Sequence, residues 1–205
     1  MGIDLGKRWG QMYRRGFLFL MWGFLFVLFD LHIQTVNLLP DFIGYILCII
    51  GLSDLRQTSD FFNRAYYWSF VLLILSLPKV LGVNFSVTTT NPGMTLSRAP
   101  MLAGIAGLAM LLFIVNFVLQ LLWVFWILQG IKELASQRGN FALEDAADFR
   151  WKLYAASVVY NLIVMLVAFA ITPLVVPFIL IGFVLGMIVT IVFMTLMYRC
   201  ANELS

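Results

Sequence analysis

Long apolar stretches alternate with short polar segments along the whole chain. Six of these stretches approach the roughly 20 residues that a helix needs to cross about 30 Å of hydrocarbon. The predicted spans cover residues 17–39, 41–55, 66–85, 101–129, 153–172 and 178–198. The polar segments between them have at most about 20 residues, fewer than a soluble domain contains. The pattern predicts an all-α fold, a polytopic bundle of six transmembrane helices that forms one domain over residues 1–205.

The second span is the shortest, and a re-entrant hairpin is its alternative. Its uncharged part, 42–52, extends only about 16 Å as a helix. Six complete spans leave Lys79 and Arg98 on one side of the membrane and the other basic residues on the opposite side. Those are Lys7, Arg8, Arg14, Arg15, Arg56, Arg64, Lys132, Arg138, Arg150, Lys152 and Arg199. A re-entrant segment would divide the basic residues almost evenly, so the positive-inside rule favours six spans with both termini in the cytoplasm.

Composition excludes several classes of protein. Apolar residues make up 62% of the chain, aromatic residues 16% and charged residues 11%, and the mean hydropathy is +0.98. A soluble domain has about 25% charged residues, so a soluble globular protein is excluded. With one histidine and two cysteines, the chain offers no His-rich metal centre, and we predict no metal and no cofactor. The basic excess reports orientation in a membrane, so no nucleic-acid partner is expected.

Polar residues inside predicted spans mark the candidate site, because such residues are costly in lipid and usually face the bundle interior. On a continuous first span, Asp30, Gln34 and Asn37 lie within about 60° of one another. Asp41 opens the second span on the same outer side. The pattern therefore predicts a line of polar side chains that opens outward.

Lys79 of the third span is the expected partner of Asp30, because both lie about 20 Å from the cytoplasmic side at 1.5 Å per residue. Three interpretations stay open: an ion or proton site, a buried structural ion pair, and a protonated or hydrated Asp30. Asn116 and Gln120 of the fourth span share a helix face. They are either hydrogen-bonding groups between helices or part of a solute site.

Small residues at helical spacing predict close contacts between helices. Gly16 and Gly23 precede Asp30 at seven-residue intervals, and Gly44 and Gly51 lie on one face of the second span. Gly182 and Gly186 form a GxxxG motif in the sixth span. These six glycines are the predicted packing positions.

The polar segment before the fifth span has the pattern of a helix start. Asn140 is a candidate N-cap, and acidic residues follow it where the helix dipole favours them. Asp148 and Lys152 have the i, i+4 spacing of an ion pair. We therefore expect a helix that begins near Phe141 and runs directly into the fifth span.

The segment Leu38-Leu-Pro-Asp-Phe-Ile-Gly-Tyr-Ile-Leu, with Ile50-Gly51-Leu52, resembles a signature of small uncharacterised membrane proteins of Gram-positive bacteria. The resemblance covers about the first third of the chain. It implies a bacterial cell-membrane protein and brings no activity. Six spans in about 200 residues are also similar to the substrate-capture subunits of energy-coupling vitamin transporters, an analogy of size and span number alone.

The sequence favours a small-solute or ion transporter, a channel or a substrate-binding membrane subunit as the function. Its expected partners are the lipid bilayer and an unidentified solute or ion. The alternative is a non-catalytic accessory protein that binds another membrane protein or a second copy of itself. An intramembrane enzyme ranks third, because no catalytic constellation is visible.

Overall fold

The computed structural model describes the backbone of residues 3–28, 32–33, 36–37, 41–80, 99–170 and 175–204 of the 205-residue chain. Its side chains are described mainly in 10–27, 42–76, 114–164 and 177–204. The helices are α1 (Ile3–Leu28), α2 (Asp41–Leu55), α3 (Asp60–Val80), α4 (Ala99–Gln137), α5 (Phe141–Ala170) and α6 (Val175–Glu203). Two short strands, β1 (His32–Ile33) and β2 (Val36–Asn37), pair antiparallel between α1 and α2.

Each helix packs against the next one along the chain, and α6 returns to pack against α1. Within the part of the chain that the structure describes, the prediction of a helical protein with six helices is confirmed, apart from the small strand pair. The bounds of α2 coincide with the predicted second span. α4 ends eight residues beyond the predicted span, at Gln137, because its polar continuation stays helical up to a tight turn into α5.

Two stretches among the described residues are long and apolar enough to cross a membrane, Ile114–Gln137 in α4 and Leu180–Glu203 in α6. Phe42–Leu55 is a further apolar helix, but it is shorter. Two such helices give weak support for a membrane protein, because a buried core helix can have the same composition. In each of these two long stretches, however, only 33% of the hydrophobic window is buried inside the protein.

The prediction for the outer part of the first span was wrong. α1 ends at Leu28 rather than near Leu39, and the chain then forms the β1–β2 pair, in which His32 lies opposite Asn37. Asn37 therefore does not continue the helix face of Gly16 and Gly23. A seven-residue repeat needs an unbroken helix to place its members on one face, and this helix stops before the repeat is complete.

α1 and α2 approach each other through two pairs of facing glycines. A Cβ placed on Gly51 would lie 2.6 Å from the carbonyl oxygen of Gly16, and one on Gly23 would lie 2.8 Å from that of Gly44. The two helices run antiparallel, and the two glycines of each helix lie seven residues apart. One register of the helices therefore brings both pairs of glycines together. The missing side chains let the two backbones touch.

The two glycines of the α6 motif differ in their surroundings. A Cβ on Gly182 would lie 2.9 Å from the side-chain oxygen of Asn161, so this glycine lets α6 pack against α5. A Cβ on Gly186 would meet no described atom within 4 Å. The GxxxG motif thus contributes one close helix contact among the described residues, at Gly182.

The turn between α4 and α5 needs a glycine. Gly139 has a φ of +69°, which L residues with a side chain rarely adopt. Its N–H donates to Ser136, and the N–H of Asn140 donates to Ala135 at 2.9 Å, which closes the end of α4 as a Schellman motif. The side chain of Asn140 accepts a hydrogen bond from the N–H of Leu143 at 3.1 Å, so the predicted N-cap of α5 is confirmed.

Aromatic rings fill the centre of the described core. The Phe24 ring of α1 stacks on Trp123 of α4 with centroids 5.1 Å apart, and it contacts Phe193 of α6 at 5.3 Å. Phe17 and Phe62 form an edge contact nearer the N-terminal part of α1. All five of these side chains are fully buried. We call Phe24, Trp123 and Phe193 the aromatic floor.

Candidate functional site

The interior of the bundle contains a hydrogen bond between α2 and α4. The side-chain amide of Gln120 donates to the hydroxyl oxygen of Tyr45 at 2.8 Å. Tyr45 is 2% exposed, although a phenol hydroxyl is costly to bury without a partner. An amide group offers two donors and a carbonyl acceptor, so one hydrogen bond leaves Gln120 with further capacity.

Trp123 links α4 to α3 one turn further along. Its indole N–H donates to the hydroxyl of Ser69 at 2.7 Å, and Ser69 donates in turn to the carbonyl oxygen of Ala65 at 2.8 Å. Trp123 and Ser69 are both fully buried, and the Trp123 ring has an edge contact with Tyr45 at 5.7 Å. We call Tyr45, Ser69, Gln120 and Trp123 the polar layer. It is a set of uncharged hydrogen-bonding groups that ties α2, α3 and α4 together.

The residues predicted as a polar line are only partly placed. Asp30 and Gln34 lie outside the described residues, and Asn37 belongs to β2. Asp41 is the first residue of α2, and Lys79 lies in the last turn of α3, although their side chains are outside the described part. The proposed contact of Asp30 with Lys79 therefore stays a prediction.

The structure places two of the predicted positions, Asp41 and Asn116, at one level of the bundle. α2 and α4 run in the same direction, because Tyr45 meets Gln120 and Ser59 meets Glu133. Asp41 precedes Tyr45 by four residues, as Asn116 precedes Gln120. Positions 41 and 116 consequently lie at the same height, one turn above the polar layer.

Sequence reasoning missed Tyr45, Ser69 and Trp123. A signal was present for two of them, since Tyr45 follows Asp41 by four residues and Trp123 follows Asn116 by seven, which is the spacing of one helix face. Aromatic residues in an apolar helix are usually read as packing, so their polar atoms attract little notice. Ser69 gave no signal of its own.

Most charged side chains among the described residues lie at the end of the bundle opposite to Asp41 and Asn116. Arg15 of α1 lies 3.8 Å from Asp54 of α2, and Ser59 before α3 donates a hydrogen bond to Glu133 of α4. Arg138 donates to the carbonyl oxygen of Leu204, and Asn140 donates to Glu203 at 2.9 Å. These contacts join the ends of α2, α4 and α6 and the starts of α3 and α5. We call this region the charged end.

An open cleft of about 460 Å³ lies at the charged end, between α3, α4 and α5. It is lined by Phe61, Gln129, Lys132, Glu133, Ser136, Gln137 and Glu144. Lys132 lies 3.9 Å from Glu144 and 3.7 Å from Asp148, so its charge is already balanced by two carboxylates. The cleft is open to solvent, and its Lys132 and Glu144 form an ion pair with each other.

Asp148 and Lys152 form the predicted i, i+4 ion pair, with an N–O distance of 2.8 Å. The hydrogen bond and the charge of Lys152 lower the pKa of Asp148, and Asp148 raises the pKa of Lys152. Both groups are exposed to solvent, so the pair makes a small contribution to stability.

We expect the stability contribution of Asp148 to disappear in acid. Because its folded pKa lies below the unfolded value of about 3.9, the contribution is complete above that pH and is lost as the pH falls through the folded pKa. Thermal midpoints of wild type and Asp148→Asn should therefore differ slightly at pH 7 and converge below pH 3. Asp145→Asn is the control, since Asp145 makes no ion pair among the described residues. A difference that persists unchanged at pH 3 would contradict the assignment.

The described residues contain no group of three or more His, Cys, Asp or Glu side chains that could hold a metal ion. The polar layer consists of amide, phenol, indole and hydroxyl groups, which can form hydrogen bonds with uncharged partners. No protein-family model, curated protein or solved structure matches this chain.

Proposed function

We propose that the protein is an integral membrane protein whose six helices all cross or enter the bilayer. The support is the outward face of α6, where Ile181, Val184, Ile188 and Ile191 are 54%, 54%, 47% and 59% exposed. An unbroken apolar face of this kind is unfavourable in water and favourable in lipid. α3, α4 and α5 carry exposed apolar residues of the same type.

We place the charged end in the cytoplasm, together with both termini. Cytoplasmic segments of membrane proteins are enriched in Lys and Arg. The contacts of Arg15, Arg138 and Lys132 support a single basic end of the bundle, since they join parts of the chain that the six-span arrangement assigns to one side. The long α4–α5 hairpin then extends from the membrane into the cytoplasm.

Within this frame we propose that the protein binds or transports a small polar solute. The observation that carries the proposal is the polar layer, because polar side chains within membrane helices usually face the bundle interior and mark substrate or ion pathways. The aromatic floor fills the bundle on the side of the polar layer that faces the charged end. That packing favours a substrate-binding subunit or an alternating-access transporter over a permanently open channel.

The proposal is tested by thermal shift on the purified full chain. The ligand panel contains polyols, simple amides, neutral amino acids and nucleosides, with NaCl and KCl to test ions. A solute that binds the folded state raises the unfolding midpoint, and at 100 times its Kd it adds about 2.7 kcal/mol. We expect at least one such shift in the wild type and its loss in Gln120→Leu.

Val118→Leu is the matched control, because Val118 lies on the same helix and is 49% exposed on the outward face. It should keep the wild-type shift. If no solute in the panel stabilises the wild type, or if Gln120→Leu responds as well as the wild type, the solute-binding proposal fails. The accessory-protein interpretation would then take its place.

A further inference from the structure

The guanidinium group of Arg150 lies where α5 packs against α6. Its Nε donates to the carbonyl oxygen of Val192 in α6 at 3.0 Å, and its Nη1 donates to that of Ala146, one turn earlier in α5, at 2.9 Å. Both acceptors are uncharged backbone groups. A guanidinium group has five N–H donors, so these two contacts leave three donors for other partners.

The positive charge of Arg150 has no carboxylate partner among the described residues. The carboxylates on the same two helices already have partners. Glu203 accepts from Arg199 at 2.9 Å, and Asp148 lies 2.8 Å from Lys152. These two pairs balance their own charges, so one positive charge stays uncompensated at Arg150.

The other titratable groups near Arg150 do not balance it either. Partial burial lowers the pKa of Arg150, and the nearby positive charge of Arg199 lowers it further. The thiol of Cys200 is buried and therefore uncharged at neutral pH. Glu144 pairs with a lysine of α4, and Asp145 is exposed about 140° away around the helix. The surroundings of Arg150 are thus positive and favour an anion.

Arg150 and Arg199 lie at the cytoplasmic ends of two uncharged stretches. Residues 153–170 of α5 and 175–198 of α6 contain no Asp, Glu, Lys or Arg. Trp151 follows Arg150 directly, and tryptophan is enriched at the level of the lipid headgroups. In the proposed orientation, the two arginines therefore lie at the level of the phosphate groups of the cytoplasmic leaflet.

The surface next to Arg150 suits the acyl chains of a lipid. Val192, whose carbonyl oxygen accepts from Arg150, directly follows Ile191. Ile191, Ile188 and Val184 form the exposed apolar face of α6, which extends from this level towards the outer side. A phospholipid with its phosphate at Arg150 would have its acyl chains along this face.

We propose that Arg150, with Arg199 as a second cation, binds the phosphate group of an anionic phospholipid of the cytoplasmic leaflet, and we call these two residues the lipid site. A guanidinium group presents parallel N–H donors that match phosphate oxygens. Basic sites between membrane helices on the cytoplasmic side hold anionic headgroups in this way. The inference rests on the proposed membrane-spanning arrangement and is independent of solute binding.

The thermal stability of the purified full chain tests the lipid site. The protein in an uncharged detergent is heated with phosphatidylglycerol, with phosphatidylcholine or with inorganic phosphate. We expect phosphatidylglycerol to raise the unfolding midpoint of the wild type by about 3 °C and the other two additions to change it by less than about 1 °C. An equal shift with inorganic phosphate would assign the site to free phosphate groups and overturn the inference.

Arg150→Gln should lose the shift that phosphatidylglycerol produces. Lys152→Gln is the matched control, because it makes the same change of charge two residues away, at a side chain that is 72% exposed and paired with Asp148. It should keep the wild-type shift. An undiminished shift in Arg150→Gln would overturn the inference. So would an equal loss in both variants, which would indicate a general attraction between charges.

Arg150→Lys guards against a variant that fails to fold. It keeps the positive charge but has no fork of parallel donors and no Nε to reach Val192. Native mass spectrometry with phosphatidylglycerol should show about tenfold weaker lipid binding than in the wild type, because hydrogen bonds to a charged group are lost. Lipid binding as tight as that of the wild type would contradict the lipid site.

A carbonate wash of the membranes separates failure of the lipid site from failure of the proposed function. If the wash releases the wild-type chain, the membrane-spanning arrangement fails and the lipid site fails with it. If the chain stays in the membrane but shows no preference for phosphatidylglycerol, the lipid site alone fails. A solute shift that is lost in Gln120→Leu supports solute binding whichever lipid result is obtained.

Discussion

Replacing Trp123 by alanine is expected to lower the free energy of unfolding by about 3–5 kcal/mol, the range for Trp or Phe truncation in protein cores. Trp123 is fully buried and contacts Phe24 and Tyr45 through its ring. The variant leaves a cavity where α1, α2 and α4 meet, and it removes the donor that reaches Ser69. Titration with SDS in mixed micelles, followed by circular dichroism, measures the loss.

Trp123→Phe separates the packing of the ring from its hydrogen bond. It keeps an aromatic ring against Phe24 and removes the N–H donor, while the Ser69 hydroxyl still donates to Ala65. A hydrogen bond of this kind is worth about 0.5–1.5 kcal/mol, so the loss should be well below that of Trp123→Ala. If both variants were as stable as the wild type, Trp123 would not be the central packing residue of the bundle.

The second large effect is expected where α1 meets α2. In Gly51→Ala the new methyl group would lie 2.6 Å from the carbonyl oxygen of Gly16, and in Gly23→Ala 2.8 Å from that of Gly44. A backbone carbonyl obstructs the new methyl group in both cases and cannot move aside as a flexible side chain does, and in Gly23→Ala the Cys48 sulfur lies closer still. Forcing the helices apart should cost about 1–3 kcal/mol for each substitution, measured by the same SDS titration.

Gly186→Ala is the matched control for the glycine variants. It makes the same chemical change in a helix, but its Cβ meets no described atom within 4 Å. Alanine is favoured over glycine inside helices by about 0.5–1 kcal/mol, so this variant should be as stable as the wild type or slightly more stable. If Gly51→Ala and Gly23→Ala behaved like Gly186→Ala, the close approach of α1 and α2 would be refuted.

The glycine contacts also bear on the polar layer. Because α1 and α2 touch along their backbones, substitutions that separate them should disturb the contact of Tyr45 with Gln120, since Tyr45 follows Gly44 directly.

Local pattern in the sequence was sufficient for the six helices of the described residues and for both bounds of α2. A long apolar stretch satisfies its backbone as a helix and needs only an apolar surrounding for its side chains. The cap at Asn140 and the ion pair of Asp148 with Lys152 were also predictable, because the groups lie three or four residues apart on one helix. Such contacts form within one or two turns and do not depend on the rest of the fold.

Tertiary structure decided where α1 ends and which residues meet. The pattern from Asp30 to Asn37 is compatible with a helix and with short strands, so periodicity did not distinguish them. Gln120 meets Tyr45 from 75 residues away, and Gly51 meets Gly16, because of the register between helices. That register depends on the packing of whole helix faces, which sequence spacing alone does not specify. The sequence by itself determined the helices, and the tertiary structure decided which of their faces meet, because that choice depends on side chains far apart in the chain.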